Sequence, residues 1–170
     1  IIKRSRGVAE QLAGGVRYLL EKNNVEVIDG HGRLDGPGKV AIEQDGGAVS
    51  ELIPKNIILA TGARARTLPG MEPDGKLIWT YREAMVPDTM PKSLLIIGSG
   101  AIGIEFASFY NTLGVNVTVA EVMGRILPVE DAEISAFVQK ELENQGMTIL
   151  TSTTVAGLEK GAETVTVSVD

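Results

Sequence analysis

The chain has 170 residues, of which 44% are apolar and 22% charged, and its net charge is −6. That composition is ordinary for a globular protein long enough to bury a sizeable core, and the acidic balance argues against nucleic acid, whose phosphates want a basic face. With no cysteine and a single histidine (His31) there is no disulfide, no thiolate nucleophile and no metal cluster built from those residues. No apolar stretch approaches the roughly 20 residues that span a bilayer.

Apolar residues at Val8, Leu12, Val16, Leu19 and Leu20 predict a helix ending near Lys22, stopped by Asn23-Asn24. Gly14-Gly15 inside it costs about 1 kcal/mol per glycine, which close packing on a neighbour would explain. Three β-like runs follow, Val25–Ile28, Val40–Ile42 and Val49–Ile53, with Asp45-Gly46-Gly47 as a hairpin turn between the last two. Ile57-Ile58-Leu59-Ala60 reads as a strand buried on both faces of a parallel sheet, stopped at Thr61-Gly62. Residues 64–93 hold four of the seven prolines and read as a connector with one short helix near Tyr81–Met85, so a domain boundary is expected near residues 70–92.

The second half alternates regularly. Leu94–Ile97 is a strand; Ile102, Phe106, Phe109 and Leu113 form an apolar stripe on a helix ending at Gly114; Val115–Ala120 is a second strand. Asp131 caps another helix, with Ile134, Phe137, Val138 and Leu142 inward and Gly146 as its stop. Met147–Leu150 is a third strand, and Val155–Leu158 with Val165–Val169 form a hairpin about Lys160-Gly161. The fold class is α/β.

Gly98-Ser99-Gly100-Ala101-Ile102-Gly103 lies between the first strand and its helix, and Glu121 stands 23 residues after Gly98, where the second strand ends. Strand, glycine turn, helix, strand and acid come in the order of a dinucleotide-binding βαβ unit. Gly98 makes the tight turn, Gly100 admits a pyrophosphate to the backbone, and Gly103 lets helix and sheet pack closely. The helix N-terminus offers unpaired N–H groups to phosphates. A carboxylate at Glu121 accepts ribose hydroxyls and repels a 2′-phosphate, favouring NAD over NADP; Arg125 nearby would help a 2′-phosphate, but not while Glu121 is in place. Glu105, in the first turn of the helix, is either an acid favoured by the helix dipole or the partner of a specific cation.

Matches across the whole chain resemble the pyridine nucleotide–disulfide oxidoreductases, and within them the dihydrolipoamide dehydrogenase branch. They run from Lys3-Arg4-Ser5-Arg6 and Asn24–Gly32, through Lys55–Ala63, Leu68-Pro69-Gly70 and Tyr81–Met85, to the glycine fingerprint, Ile126-Leu127-Pro128 and Asp131-x-Glu133-Ile134. The resemblance implies a Rossmann-like NAD-binding half-domain at 92–170, a connector at 70–91, and at 1–69 the C-terminal part of an FAD-binding domain with a three-stranded β-meander. It implies that Gly98, Ser99, Gly100, Ala101, Ile102, Gly103, Glu121 and Val155 contact NAD. It places Glu105 near nicotinamide and flavin, facing a lysine of the FAD domain. It gives Gly32, Thr61, Gly62 and Ala63 to FAD. Such enzymes pass electrons from dihydrolipoyl groups of 2-oxoacid dehydrogenase complexes through a cysteine pair and FAD to NAD.

The resemblance further implies an internal segment, inactive by itself, because the cysteine pair, the first FAD fingerprint and a catalytic His-Glu pair have no counterpart in these residues; Ile1 in place of Met agrees. Open sheet edges would make such a segment pair with a second copy, the parent enzyme is expected to be a homodimer bound to lipoyl domains, and the absence of a signal peptide fits the cytoplasm. Glutathione reductase and mercuric reductase are alternatives within the family, the former disfavoured by Glu121. A non-catalytic NAD-binding module and a ligand-free scaffold are alternatives outside it.

Overall fold

A computed structural model describes all residues from Ile1 to Asp170, which form two units, Ile1–Arg64 and Ala65–Asp170. In the first, α1 spans Ile2–Lys22 and stops where the sequence places the stop: the Asn23 side chain donates to the Leu19 carbonyl at 2.7 Å and Asn24 adopts φ 55°. None of its residues is buried, and a Cβ added at Gly14 or Gly15 would meet nothing within 4 Å, so the close packing expected at those glycines is not made within this chain.

The meander consists of β1 (His31–Leu34), β2 (Val40–Glu43) and β3 (Val49–Leu52), antiparallel in that order, with Ala41 and Ile42 of the central strand buried. Its second turn is the expected one, Gly46 and Gly47 both taking positive φ between Gln44 and Ala48. Two expected strands are absent. Val25–Ile28 and Ile57–Ala60 have the right residues, yet neither pairs with a neighbour, and Ile58 is 90% exposed. A β-rich run becomes a strand only when another backbone satisfies its N–H and C=O groups. The first strand of the meander is instead His31–Leu34, which the pairing of Gly32 with Ile42 holds in register.

Gly30 is forced by close approach, since a Cβ there would lie 2.8 Å from both the Glu43 carbonyl oxygen and Ile42 Cγ2. Gly30→Ala is therefore expected to destabilise the meander by about 1–3 kcal/mol; a denaturant midpoint equal to that of the parent chain would refute the packing argument.

The second unit begins with residues that read as a connector but pack on its core. Trp79 and Ala84 lie against the core cluster, and the buried Tyr110 hydroxyl donates to the Ala84 carbonyl at 2.6 Å. The short helix α2 (Tyr81–Met85) carries a capping box between Thr80 and Glu83, a Thr-x-x-Glu signature visible in the sequence. Asp74 Oδ1 accepts the N–H groups of Lys76, Leu77 and Ile78, each at 2.9 Å, and Oδ2 meets Lys160 Nζ at 3.0 Å. The Ile78 and Lys76 N–H groups, then the Lys160 ammonium, hold this carboxyl well below the usual carboxylate range.

Then come β4 (Ser93–Ile97), α3 (Ala101–Thr112), β5 (Asn116–Ala120), α4 (Ala132–Asn144) and β6 (Thr148–Leu150), the strands forming a parallel sheet in the order β4-β5-β6. A hairpin of β7 (Val155–Lys160) and β8 (Val165–Val169) follows, with a bulge between Val155 and Gly157. The helices end at Gly114 and Gly146, both with φ near 90°.

The inward faces differ from the expected stripes. On α3 the buried residues are Ile104, Ala107 and Tyr110, with Phe106 and Phe109 half-buried beside them, while Ile102 is 62% exposed. This helix is apolar nearly all round, so periodicity alone cannot select the face; the close approach at Gly103 does. On α4, Ser135 and Leu142 are buried whereas Ile134 and Phe137 are exposed. The Ser135 hydroxyl donates to the Leu127 carbonyl at 3.1 Å, which turns the serine side of α4 inward.

Candidate nucleotide-binding site

Each glycine of the turn between β4 and α3 has a separate physical reason. Gly98 takes φ 95°, in the left-handed region that favours glycine, while its N–H donates to the Ala120 carbonyl at 2.8 Å. Gly103 faces that turn so closely that a Cβ would lie 2.2 Å from the Gly98 carbonyl oxygen. Gly100 is the N-cap of α3 and has open space where its Cβ would be. The N–H groups of Ala101, Ile102 and Gly103 in the first helical turn have no intrahelical acceptor, and Ala101 and Ile102 are exposed. The bare N-cap and these free donors suit a pyrophosphate, with the positive end of the helix dipole behind them.

Glu121 directly follows β5 beside this turn and is only 5% exposed. Its Oε2 accepts both the Ser99 N–H at 2.8 Å and the Ser99 hydroxyl at 2.6 Å, and Oε1 accepts the Met123 N–H at 2.8 Å. Burial pushes its carboxyl pKa up, but the Ser99 hydroxyl and the Met123, Ser99 and Val122 N–H groups together outweigh burial and bring it below the ordinary glutamate value. The Ser99 carbonyl in turn accepts the Leu127 N–H at 3.0 Å, so the loop after Glu121 folds back on the glycine turn. Arg125, the residue that would favour a 2′-phosphate, donates to the Pro128 carbonyl of its own loop at 2.9 Å.

The segment joining β6 to β7 closes on the same place. Ser152 and Thr153 donate backbone N–H groups to the carbonyls of Met123 and Glu121, at 2.8 and 2.9 Å, which sets Val155 two residues beyond the Glu121 contact. Glu105 is exposed and makes no ion pair within the chain; because α3 starts at Ala101, it falls beyond the first turn, where the dipole no longer accounts for it. A cavity of about 720 Å³ adjoins the glycine turn, lined among others by Trp79, Leu94, Ile96, Gly100 and Phe106.

The residues assigned to FAD are not linked by hydrogen bonds in this way. Gly32 sits in β1 with open space over its Cα, and Thr61, Gly62 and Ala63 form an exposed, irregular segment in which Gly62 has φ 73°. No hydrogen bond joins that segment to the meander. The Gly62 turn and the bare Gly32 backbone are each compatible with close approach of a nucleotide.

Residues 2–170 match the sequence model of the family described as pyridine nucleotide-disulphide oxidoreductase. The chain belongs to that family. A dihydrolipoyl dehydrogenase of Rhizobium etli is 50% identical over 184 aligned residues, covering 100% of this chain and 38% of the relative, and one of Zymomonas mobilis is 52% identical over 169, covering 99% and 36%. Among solved structures, LpdA from Mycobacterium tuberculosis superposes with a TM-score of 0.90 at 30% identity, over 99% of this chain and 38% of that one. The chain thus spans little more than a third of the length of these relatives. Within this family the chain carries one feature that the fingerprint alone does not reveal: the Ser99 hydroxyl is turned onto Glu121. Only the pairing of a serine inside the glycine turn with an acid 22 residues later hints at it in the sequence. No helix of the chain is long and apolar enough to cross a membrane.

Proposed function

We propose that this chain supplies the NAD-binding βαβ unit, and part of the FAD-binding domain, of a dihydrolipoyl dehydrogenase. The parent enzyme takes electrons from dihydrolipoyl groups of 2-oxoacid dehydrogenase complexes through a cysteine pair, which this chain does not carry, to FAD and on to NAD. Bound FAD and NAD supply the redox chemistry; the residues present bind and orient. The N–H groups of Ala101, Ile102 and Gly103 hold the pyrophosphate beside the bare backbone of Gly100, Glu121 takes a ribose hydroxyl, and Val155 lies toward the adenine. Glu105, free of any cation here, is left to pair with a lysine of the FAD domain, and Gly32 with Thr61–Ala63 borders the flavin nucleotide. The parent is a cytoplasmic homodimer that docks lipoyl domains.

The observation that carries this reading is the buried Ser99–Glu121 contact, which fixes an ionised carboxylate beside a bare helix N-terminus. Titration of NADH into the chain, followed by the heat of binding and by fluorescence of Trp79 in the adjoining cavity, tests it. Saturable binding is expected; no signal at millimolar NADH would overturn the reading.

A further inference from the structure

We propose that Ser99 is a positioning residue for dinucleotide selection, its hydroxyl fixing which oxygen of Glu121 faces the ribose. The inference rests on the NAD reading above and goes beyond it in assigning Ser99 a role in choosing between NAD and NADP. Ser99 is fully buried, and both its donors are committed: N–H and hydroxyl go to the same oxygen, Glu121 Oε2, at 2.8 and 2.6 Å. It therefore has no proton left for a phosphate oxygen, the role its place in the fingerprint suggests.

A carboxylate offers about four acceptor sites. Ser99 occupies the two on Oε2, and the Met123 N–H occupies one on Oε1. What remains for a ligand is at most one site, on Oε1, where the Val122 N–H also faces the carboxylate, so Ser99 decides both the orientation of the carboxylate and its remaining capacity. A carboxylate held this way cannot swing aside for a 2′-phosphate. Without the hydroxyl, only backbone N–H groups, those of Ser99, Val122 and Met123, retain it, and the side chain can turn away from an approaching phosphate. The Leu127 N–H on the Ser99 carbonyl, at 3.0 Å, keeps the serine backbone in place when the hydroxyl is removed.

The test is fluorescence titration of NADH and NADPH into the parent chain, Ser99→Ala, Ser99→Thr, Glu121→Gln and the double variant Ser99→Ala/Glu121→Gln. Ser99→Ala is expected to reduce the preference for NADH by about tenfold, mainly through tighter NADPH binding, the size expected for one charge-assisted hydrogen bond. Ser99→Thr keeps the hydroxyl and the preference, and Ser99→Ala has no further effect once Glu121 is Gln. General damage to the fold would weaken both dinucleotides together and leave the ratio unchanged. A ratio for Ser99→Ala within about twofold of the parent, beside a lowered ratio for Glu121→Gln, overturns the assignment of Ser99 alone. A parent chain that binds neither dinucleotide, or a Glu121→Gln ratio equal to the parent's, overturns the NAD reading as well. Should Ser99→Ala fail to fold by circular dichroism, Ser99→Thr decides: a kept preference supports the role of the hydroxyl and a lost one overturns it.

Discussion

Gly103→Ala is expected to destabilise the second unit by about 2 kcal/mol and to weaken dinucleotide binding at the same time. Two effects oppose each other. Alanine is the better helix former by about 1 kcal/mol. Its Cβ, however, would lie 2.2 Å from the Gly98 carbonyl oxygen, a backbone atom in a turn already held by the Gly98 N–H bond to Ala120. Neither side can yield by rotating a side chain, so the overpacking cost falls at or above the upper end of the usual range of about 1–3 kcal/mol. The helix must move off β4, taking the free N–H groups of Ala101 and Ile102 with it. Thermal unfolding should show a midpoint lower by about 5 °C for a protein of this size, and NADH titration a dissociation constant raised roughly tenfold, about 1.4 kcal/mol. A stabilised variant would mean that helix propensity outweighs the contact.

Glu121→Gln should remove most of the discrimination against a 2′-phosphate. Unit charges about 4 Å apart interact by between about 1 kcal/mol in water and about 4 kcal/mol in a partly screened site; an intermediate value of about 2 kcal/mol corresponds to roughly thirtyfold in the NADH to NADPH ratio. The amide also cannot accept on both sides. Its NH₂ must face either the two Ser99 donors or the Met123 N–H, which leaves a buried donor unsatisfied at a cost of about 1–3 kcal/mol.

The same variant should flatten the acid limb of stability. The folded pKa of Glu121 lies below its ordinary value of 4.5, so below that value the unfolded chain takes up the proton first. The stabilisation is complete above about 4.5 and is lost as the pH falls through the depressed folded value. Urea melts between neutral pH and about pH 3 should show the parent chain losing more stability than Glu121→Gln. Parallel curves would place the acid sensitivity on other carboxylates, among them Asp74.

Helix ends and tight turns were legible in the amino-acid sequence because they depend on residues close along the chain. Asn23-Asn24, Asp45-Gly46-Gly47, Gly114 and Gly146 stop or turn the backbone where local chemistry dictates, and Asp131 caps α4 through the N–H groups of Glu133 and Ile134. The parallel strands around the fingerprint were legible too, since their apolar runs find each other inside the second unit. In the first unit the same reasoning misplaced Val25–Ile28 and Ile57–Ala60, because strand formation depends on a partner that composition does not name.

By itself the sequence determined that there is a glycine turn, a helix to follow it and an acid at the end of the next strand, since each is a property of residue type and spacing. Only the tertiary structure decided how these parts engage. It turned Ser135 rather than Ile134 inward, drew α3 against the Gly98 carbonyl, and bonded Ser99 to Glu121 instead of leaving both to a ligand. The reason is that a buried polar atom must find a partner wherever the fold places one, and Ser99 and Glu121 become neighbours only when β4 and β5 pair in register.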